Sequence, residues 1–363
     1  MKVTPLCYVN ARFLSQRITG SQRYCIEIAR RLRRIDPAIR FVAPRDIRHR
    51  EVADELGAEV VGSRVGVAWE HLDLRRFLRR QGSPLLMSMQ YTAPLGYRPS
   101  IVTVHDVVFL NTAWVSRRFH YWYRFLIPRV VKAAERVVTV SEFSKREIVA
   151  KLGVAPEKVE VVPCAAAPEF AQYALSAGDN PHGRYVLAAA TMNKRKNFRA
   201  LVRAFLKTSA PDVRLVLVGA TDARIYGSDP ELSGMLDDPR IVLAGYVSDQ
   251  ELAGLYKHAE LFLFPSLYEG FGIPPVEAMS VGCPVLTSDR ASMPEVCGDA
   301  AYLVDPDDEA AITSAIDGLL ADDARRREFA AKGLERAKRY DWGRSAERFV
   351  ELAGAVKSGL SRP

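Results

Sequence analysis

Short apolar runs alternate with amphipathic segments along most of this chain. The first series comprises Val3–Val9, Phe41–Ala43, Leu85–Met89, Ile101–Val104, Val137–Val140 and Val159–Val162. A second series follows after a break: Tyr185–Ala190, Leu215–Val218, Ile241–Leu243, Leu261–Phe264, Val285–Thr287 and Tyr302–Val304. Strand-length runs separated by helical spacing predict parallel sheets joined by crossover helices. The break, Ala171–Gly183 (AQYALSAGDNPHG), reads as the linker. The expected fold class is therefore α/β, with two doubly wound domains at residues 1–170 and 183–340 and a closing segment at 341–363. Ligands of such sheets bind beyond the carboxyl ends of the strands, here expected in a cleft between the domains. No short-period repeat or low-complexity tract is present, which excludes solenoid and disordered readings.

With 363 residues, 48% apolar and 26% charged, the chain has enough material for two ordinary cores. No apolar run reaches the roughly eighteen residues of a membrane-crossing helix, and the N-terminal stretch is broken at Asn10 and Arg12. A cytoplasmic protein is expected, with the cytosolic face of the inner membrane as a further place. Cys7, Cys25, Cys164, Cys283 and Cys297 form no C-x-x-C pair and no zinc-ligand spacing, so they read as reduced, mostly buried thiols. Charge is uneven: residues 1–165 carry 28 Lys and Arg against 15 Asp and Glu, and the remainder 23 against 28. The basic first half is expected to face something anionic, whether a membrane surface, a nucleic acid or a phosphorylated acceptor.

The most informative stretch runs from Glu269 to Glu277, EGFGIPPVE, and sets two carboxylates eight positions apart around a glycine-rich turn. It follows the apolar strand Leu261–Phe264 and opens a helical pattern at Val276. Gly270 and Gly272 let backbone N–H groups approach a ligand, and a helix N-terminus favours anionic or polar oxygens. With its flanks from Phe262 to Glu295, this run resembles the E-x7-E motif of retaining family 4 glycosyltransferases (glycosyl transferases group 1). That family has the GT-B fold and includes bacterial mannosyl-, glucosyl- and rhamnosyltransferases. The resemblance covers essentially the whole chain, most strongly Tyr185–Pro306. It implies two Rossmann-like domains facing across a cleft, with acceptor binding in the first and sugar-nucleotide binding in the second. It also implies a last helix, from Asp341-Trp342 onward, that crosses back to the first domain. Glu269 would hold donor-sugar hydroxyls and Glu277 the ribose, while the backbone of Gly270, Phe271, Gly272 and Ile273 would line the sugar.

Other positions match the family individually. Arg195 and Lys196, between the strand Tyr185–Ala190 and an apolar helical pattern from Phe198, match its R-K pair and would stabilise the departing diphosphate. Lys194 has no counterpart there and reads as solvated. His105 in Thr103-Val104-His105-Asp106 would stand beside the donor sugar and acceptor; a structural histidine bonded to backbone is the alternative. Asp106 would orient His105 or cap the next turn. Gly219 and the turn Gly245-Tyr246-Val247 fall where similar enzymes cradle the nucleobase. Two departures stand out. Only Gly20 remains of the family's glycine-rich loop after the first strand, so it reads as a turn glycine or a diphosphate contact. After Pro163 the chain has Cys164-Ala165 where the family commonly has Asn-Gly.

Asp305-Pro306-Asp307 is formally a D-x-D string, but its place after the strand Tyr302–Val304 reads as a turn. There is no G-x-G-x-x-G after a strand and no Walker A loop, which argues against a dehydrogenase or a nucleoside triphosphatase. No metal site and no required cofactor are expected. The segment Trp114–Phe125 interleaves aromatics with arginines, as do Arg30–Arg34 and Leu74–Arg80 less richly. A membrane edge, a core-packed aromatic helix and a nucleic-acid surface are the readings; no nucleic-acid motif accompanies the segment, and no nucleic-acid partner is expected. Together with the resemblance, these features lead to the expectation of a retaining, metal-independent hexosyltransferase. Its donor would be a sugar nucleotide, GDP-mannose first and a UDP- or dTDP-sugar otherwise. Its acceptor would be a lipid-linked glycan of bacterial surface polysaccharide such as lipopolysaccharide, capsule or exopolysaccharide. A GT-B sugar-nucleotide epimerase or a non-catalytic sugar-nucleotide sensor is the alternative from another class.

Overall fold

A computed structural model describes residues 6–189, 194–219 and 230–360. Residues 3–5 and Ala190, the ends of two of the expected strands, lie outside them. The chain divides into two compact units, Met1–Cys164 with Asp341–Pro363, and Ala165–Tyr340.

In the first unit the strands are β1 (Tyr8–Asn10), β2 (Arg40–Ala43), β3 (Glu59–Val60), β4 (Leu86–Ser88), β5 (Ser100–Thr103), β6 (Arg136–Thr139) and β7 (Val159–Val161). They form one sheet in the order β3-β2-β1-β4-β5-β6-β7, with every pairing parallel. β3 has no counterpart among the apolar runs, because it is two residues long and exposed at the sheet edge. The helix Gly20–Ile35 is amphipathic: Tyr24, Cys25, Ile28 and Leu32 are buried, and Thr19 and Gln22 form a capping box at its start. The last helix, Trp342–Leu360, packs on it. Tyr24 meets the rings of Trp342 and Phe349 edge-on at 5.7 and 6.3 Å, and the Ser345 hydroxyl donates to the Pro163 carbonyl at 2.8 Å.

The second unit holds β8 (Tyr185–Ala189), β9 (Arg214–Val218), β10 (Ile241–Gly245), β11 (Leu261–Phe264), β12 (Val285–Ser288) and β13 (Tyr302–Val304). These are again all parallel, in the order β10-β9-β8-β11-β12-β13. The change of unit falls after Cys164, not at residue 170. Residues 169–175 of the expected first-domain end and linker form a helix, Glu169–Leu175, whose buried Phe170 packs against Tyr256 of the helix Asp249–His258.

Each sheet grows outward from its first strand, then restarts on the other side of it. That places a switch point between β1 and β4 in one sheet and between β8 and β11 in the other, and the crevice outside the carboxyl ends of those strands is where such sheets hold ligands. No helix among the described residues is long and apolar enough to cross a membrane.

Candidate functional site

At the switch point of the second sheet, two loops converge. After β8 the chain passes through the 3-10 turn Lys194–Lys196 and the left-handed Asn197 into the helix Phe198–Leu206. After β11 it runs through Pro265–Gly272 into the helix Ile273–Ser280. Glu269, on the second loop, is 7% exposed and is gripped by the first. Its Oε2 lies 2.7 Å from an Arg195 nitrogen, and its Oε1 accepts from Lys196 Nζ at 2.5 Å and from the Ser266 hydroxyl at 2.8 Å. Burial by itself raises a carboxyl pKa, but Lys196 and Arg195 overturn it and hold Glu269 at about 2. Both cations are locked in turn. Arg195 donates to the Tyr268 carbonyl at 2.7 Å, and Lys196 Nζ sits 4.6 Å from the centre of the Phe264 ring.

The turn between the two glutamates is equally constrained. Gly272 has φ +97°, where any L side chain is strained, and a Cβ there would also have to displace the Met293 methyl. The Ser292 hydroxyl lies 3.0 Å from the carbonyls of both Glu269 and Phe271. The Phe271 ring is buried edge-on against Tyr340 at 5.1 Å, which leaves its backbone as the part facing the turn. Gly272 caps the helix, and Pro274 and Pro275 remove two of the N–H groups that a helix start normally leaves open, so anion binding there rests on few amides. Ile273 is partly buried, and Glu277 is buried one turn into the helix.

Gly219 has φ +95° and gives its N–H to the Gly245 carbonyl at 2.7 Å, so that amide is engaged within the protein. Tyr246 beyond it is 80% exposed. Val247 lines a cavity of about 350 Å³ with Gly178, His182, Tyr185 and His258. Asp305 and Asp307 are both paired with Arg290, as a surface turn requires, and among the described residues no cluster of three His, Cys, Asp or Glu is arranged to hold a metal ion.

In the first unit His105 follows β5 and is buried, with Nε2 3.0 Å from the Met89 carbonyl. Burial pushes its pKa down to about 4 against the pull of that bond, so the ring is neutral near pH 7 with the proton on Nε2. Tyr24 and Tyr91 stand edge-on to it at 5.0 and 5.4 Å. Asp106 accepts from the Tyr91 hydroxyl at 2.9 Å and from Val108 N–H at 3.1 Å, which is the turn-capping role. Gly20 opens the helix Gly20–Ile35 as its first residue.

The structure adds a cluster that the sequence did not single out. At the switch point of the first sheet, Glu70 is 1% exposed. It accepts from Asn10 Nδ2 at 2.6 Å and from the Thr92 hydroxyl at 2.7 Å, and Arg12 lies 3.6 Å away. Asn10 also reaches Ser88 at 3.2 Å, and Arg12 reaches Thr92 at 3.2 Å. The available signal was the pair of polar residues, Asn10 and Arg12, that ends an apolar run. Ser266 and Ser292 were likewise missed; nothing separates them in sequence from ordinary loop serines.

Residues 183–322 match the family model described as Glycosyl transferases group 1, and residues 18–170 match Glycosyltransferase Family 4. The chain is 30% identical to the O-antigen chain mannosyltransferase B of Escherichia coli, over 90% of this chain and 93% of that protein. It is 30% identical to the O-antigen chain mannosyltransferase RfbU of Salmonella typhimurium, over 68% of each. Among solved structures it is similar to a sucrose-phosphate synthase from Thermosynechococcus elongatus, with a TM-score of 0.77 at 17% identity, covering 97% of this chain and 99% of that one.

Proposed function

Because the chain belongs to the family 4 glycosyltransferases and has their GT-B fold, we propose that it moves mannose from GDP-mannose to a glycan acceptor with retention and without a metal ion. The observation that carries this is the charge balance around Glu269. Among the described residues one buried carboxylate faces two partly buried cations, Arg195 and Lys196, at the carboxyl ends of β8 and β11. A leaving nucleoside diphosphate develops negative charge on its phosphate oxygens, and fixed cations in a water-poor pocket stabilise that charge where a metal would otherwise act. Glu269 keeps both cations in place and turns toward donor-sugar hydroxyls when the diphosphate takes over their charge. The backbone from Gly270 to Ile273 lines the sugar, Glu277 takes the ribose hydroxyls, and Gly219, Tyr246 and Val247 border the base. Gly20 keeps, in this reading, the role of a diphosphate contact or a turn glycine. In front-face attack the departing phosphate accepts the acceptor proton, so no carboxylate nucleophile is needed. Neutral His105, with its proton committed to Met89, orients the reacting face and does not act as a general acid.

The O-antigen relatives support a lipid-linked surface glycan as acceptor, made at the cytosolic face of a membrane that the basic first unit contacts. The test is to offer GDP-mannose, UDP-glucose and a dTDP-sugar in parallel to a mannose-terminated oligosaccharide, each with and without EDTA, and to read product anomers by NMR. Transfer from GDP-mannose alone, unaffected by EDTA and with the α configuration kept, is expected. Selective use of another nucleotide, loss with EDTA, or inversion overturns the corresponding part. Conversion of the free sugar nucleotide without acceptor would mark an epimerase.

A further inference from the structure

Among the described residues three side chains hold the Glu269 carboxylate, and the transfer chemistry above uses two of them. Arg195 and Lys196 grip it by charge, and those are the groups that a donor diphosphate draws to itself. The third hold is neutral. Ser266 is 1% exposed and donates its hydroxyl to Glu269 Oε1 at 2.8 Å, a bond strengthened by the charge of its acceptor. A hydroxyl carries no charge for a diphosphate to attract.

The place of Ser266 is fixed by the end of β11 and by the loop after β8. Its N–H donates to the Phe264 carbonyl at 2.8 Å, and the next N–H, of Leu267, donates to the Arg195 carbonyl at 2.9 Å. The hydroxyl oxygen also lies 3.1 Å from the Arg195 carbonyl and 3.4 Å from that of Tyr268. A serine hydroxyl has one proton to give. A hydroxyl that served only to brace the two loops would lie nearest a carbonyl; this one lies nearest the carboxylate, the charged member of the three acceptors. With Lys196 drawn to the diphosphate, Oε1 keeps Ser266 and gains a free lone pair for a sugar hydroxyl, while Oε2 is released by Arg195 for a second one. Without a neutral hold, the same carboxylate would lose its aim at the moment the cations leave it.

We propose that Ser266 is a positioning residue for recognition of the donor sugar: it keeps Glu269 aimed at the sugar hydroxyls once the two cations have turned to the diphosphate. This rests on the reading of Glu269 as the residue that holds those hydroxyls, and it names the group through which Glu269 is itself held.

The test compares kcat/KM for GDP-mannose with the inhibition constant of GDP in Ser266→Ala and Ser266→Cys, with circular dichroism to check folding. GDP lacks the sugar, so its constant reports the cations and the base side alone. A loss of about tenfold in kcat/KM with the GDP constant unchanged is expected in both variants. Cysteine fills about the same space with a much weaker donor, so its agreement with alanine excludes a void as the cause. GDP inhibition weakened to the same extent would mean that Ser266 only braces the loops, and an unchanged kcat/KM would mean that it does nothing for the sugar; either overturns the proposal. In a Glu269→Gln background Ser266→Ala should add little, and a full further tenfold loss there overturns it as well. Normal kcat/KM in Glu269→Gln alone removes the reading of Glu269 and this inference with it, whereas an impaired Glu269→Gln beside a normal Ser266→Ala removes this inference alone. If the parallel donor assay selects another sugar nucleotide, the same pair of constants is read for that donor and its diphosphate, and the donor assignment fails without touching Ser266.

Discussion

Both sheets bury a glutamate beside an arginine at the switch point of their strand order, yet the two clusters are built differently. Glu269 faces two cations at 2.7 and 2.5 Å, so among the described residues positive charge outweighs negative in this cluster. Glu70 is held by the neutral donors Asn10 and Thr92 at 2.6 and 2.7 Å, with its one cation, Arg12, at 3.6 Å, so that cluster is balanced. A surplus cation suits a departing diphosphate; a balanced polar network suits the hydroxyls of a neutral sugar or serves to brace the strand ends. Among the described residues, the two clusters thus differ in charge by one extra lysine.

The same substitution in both clusters breaks the comparison most sharply. Glu269→Gln removes the buried carboxylate that Arg195 and Lys196 both engage, and breaking one side of such an arrangement costs about 3–5 kcal/mol. Transfer should fall by about 10²–10³-fold, because the two cations no longer hold their places. Glu70→Gln keeps an acceptor for Asn10 and loses the Thr92 hydrogen bond and a long ion pair, so about 1–2 kcal/mol is expected. Urea unfolding with initial-rate assays measures both. Equal costs in the two variants would erase the distinction between a charge-locked and a neutral cluster.

The units should also fail at different acidities. His105 is neutral in the folded first unit with a pKa of about 4, while an unfolded histidine takes up its proton near 6.5. Its folded pKa is the lower one, so its contribution is complete above pH 6.5, is lost as pH falls from 6.5 to 4, and changes no further below 4. Two and a half units correspond to about 3 kcal/mol. Glu269 is also depressed, from 4.5 to about 2, so what it contributes is complete above pH 4.5 and is lost only between 4.5 and 2. Denaturation followed from pH 7 to pH 4 should therefore show a decline that His105→Gln flattens and Glu269→Gln does not. An unchanged decline in His105→Gln would remove the burial of a neutral imidazole as its cause.

What could be read from sequence follows from which interactions are local. Strands with buried faces appear as unbroken apolar runs, so twelve of the thirteen strands among the described residues have a counterpart there, and β3, Glu59–Val60, lacks one because it has no buried face. The Glu269–Glu277 turn is a contiguous motif and was legible at once. Its clamp was not, since Lys196 and Glu269 are 73 positions apart and sequence assigned them to different ligands when they are first each other's. Glu70 hid for the same reason: it sits 60 positions from Asn10, on a π turn that no spacing rule marks.

Ser292 gives the smallest and most discriminating test of the charge-locked cluster. Its hydroxyl lies within donating distance of the carbonyls of Glu269 and Phe271 and so braces the turn from the side away from the Glu269 carboxylate. Ser292→Ala leaves a buried carbonyl short of a donor, a cost of about 1–2 kcal/mol. The charges around Glu269 stay as they are, so kcat should fall little, while a loosened Gly270–Gly272 backbone raises KM for the donor several-fold. Ser292→Thr, which keeps the hydroxyl, should recover much of the loss in KM. A fall in kcat with KM unchanged would mean instead that the turn acts on the departing phosphate, and the division of labour between the turn and the two cations would have to be redrawn.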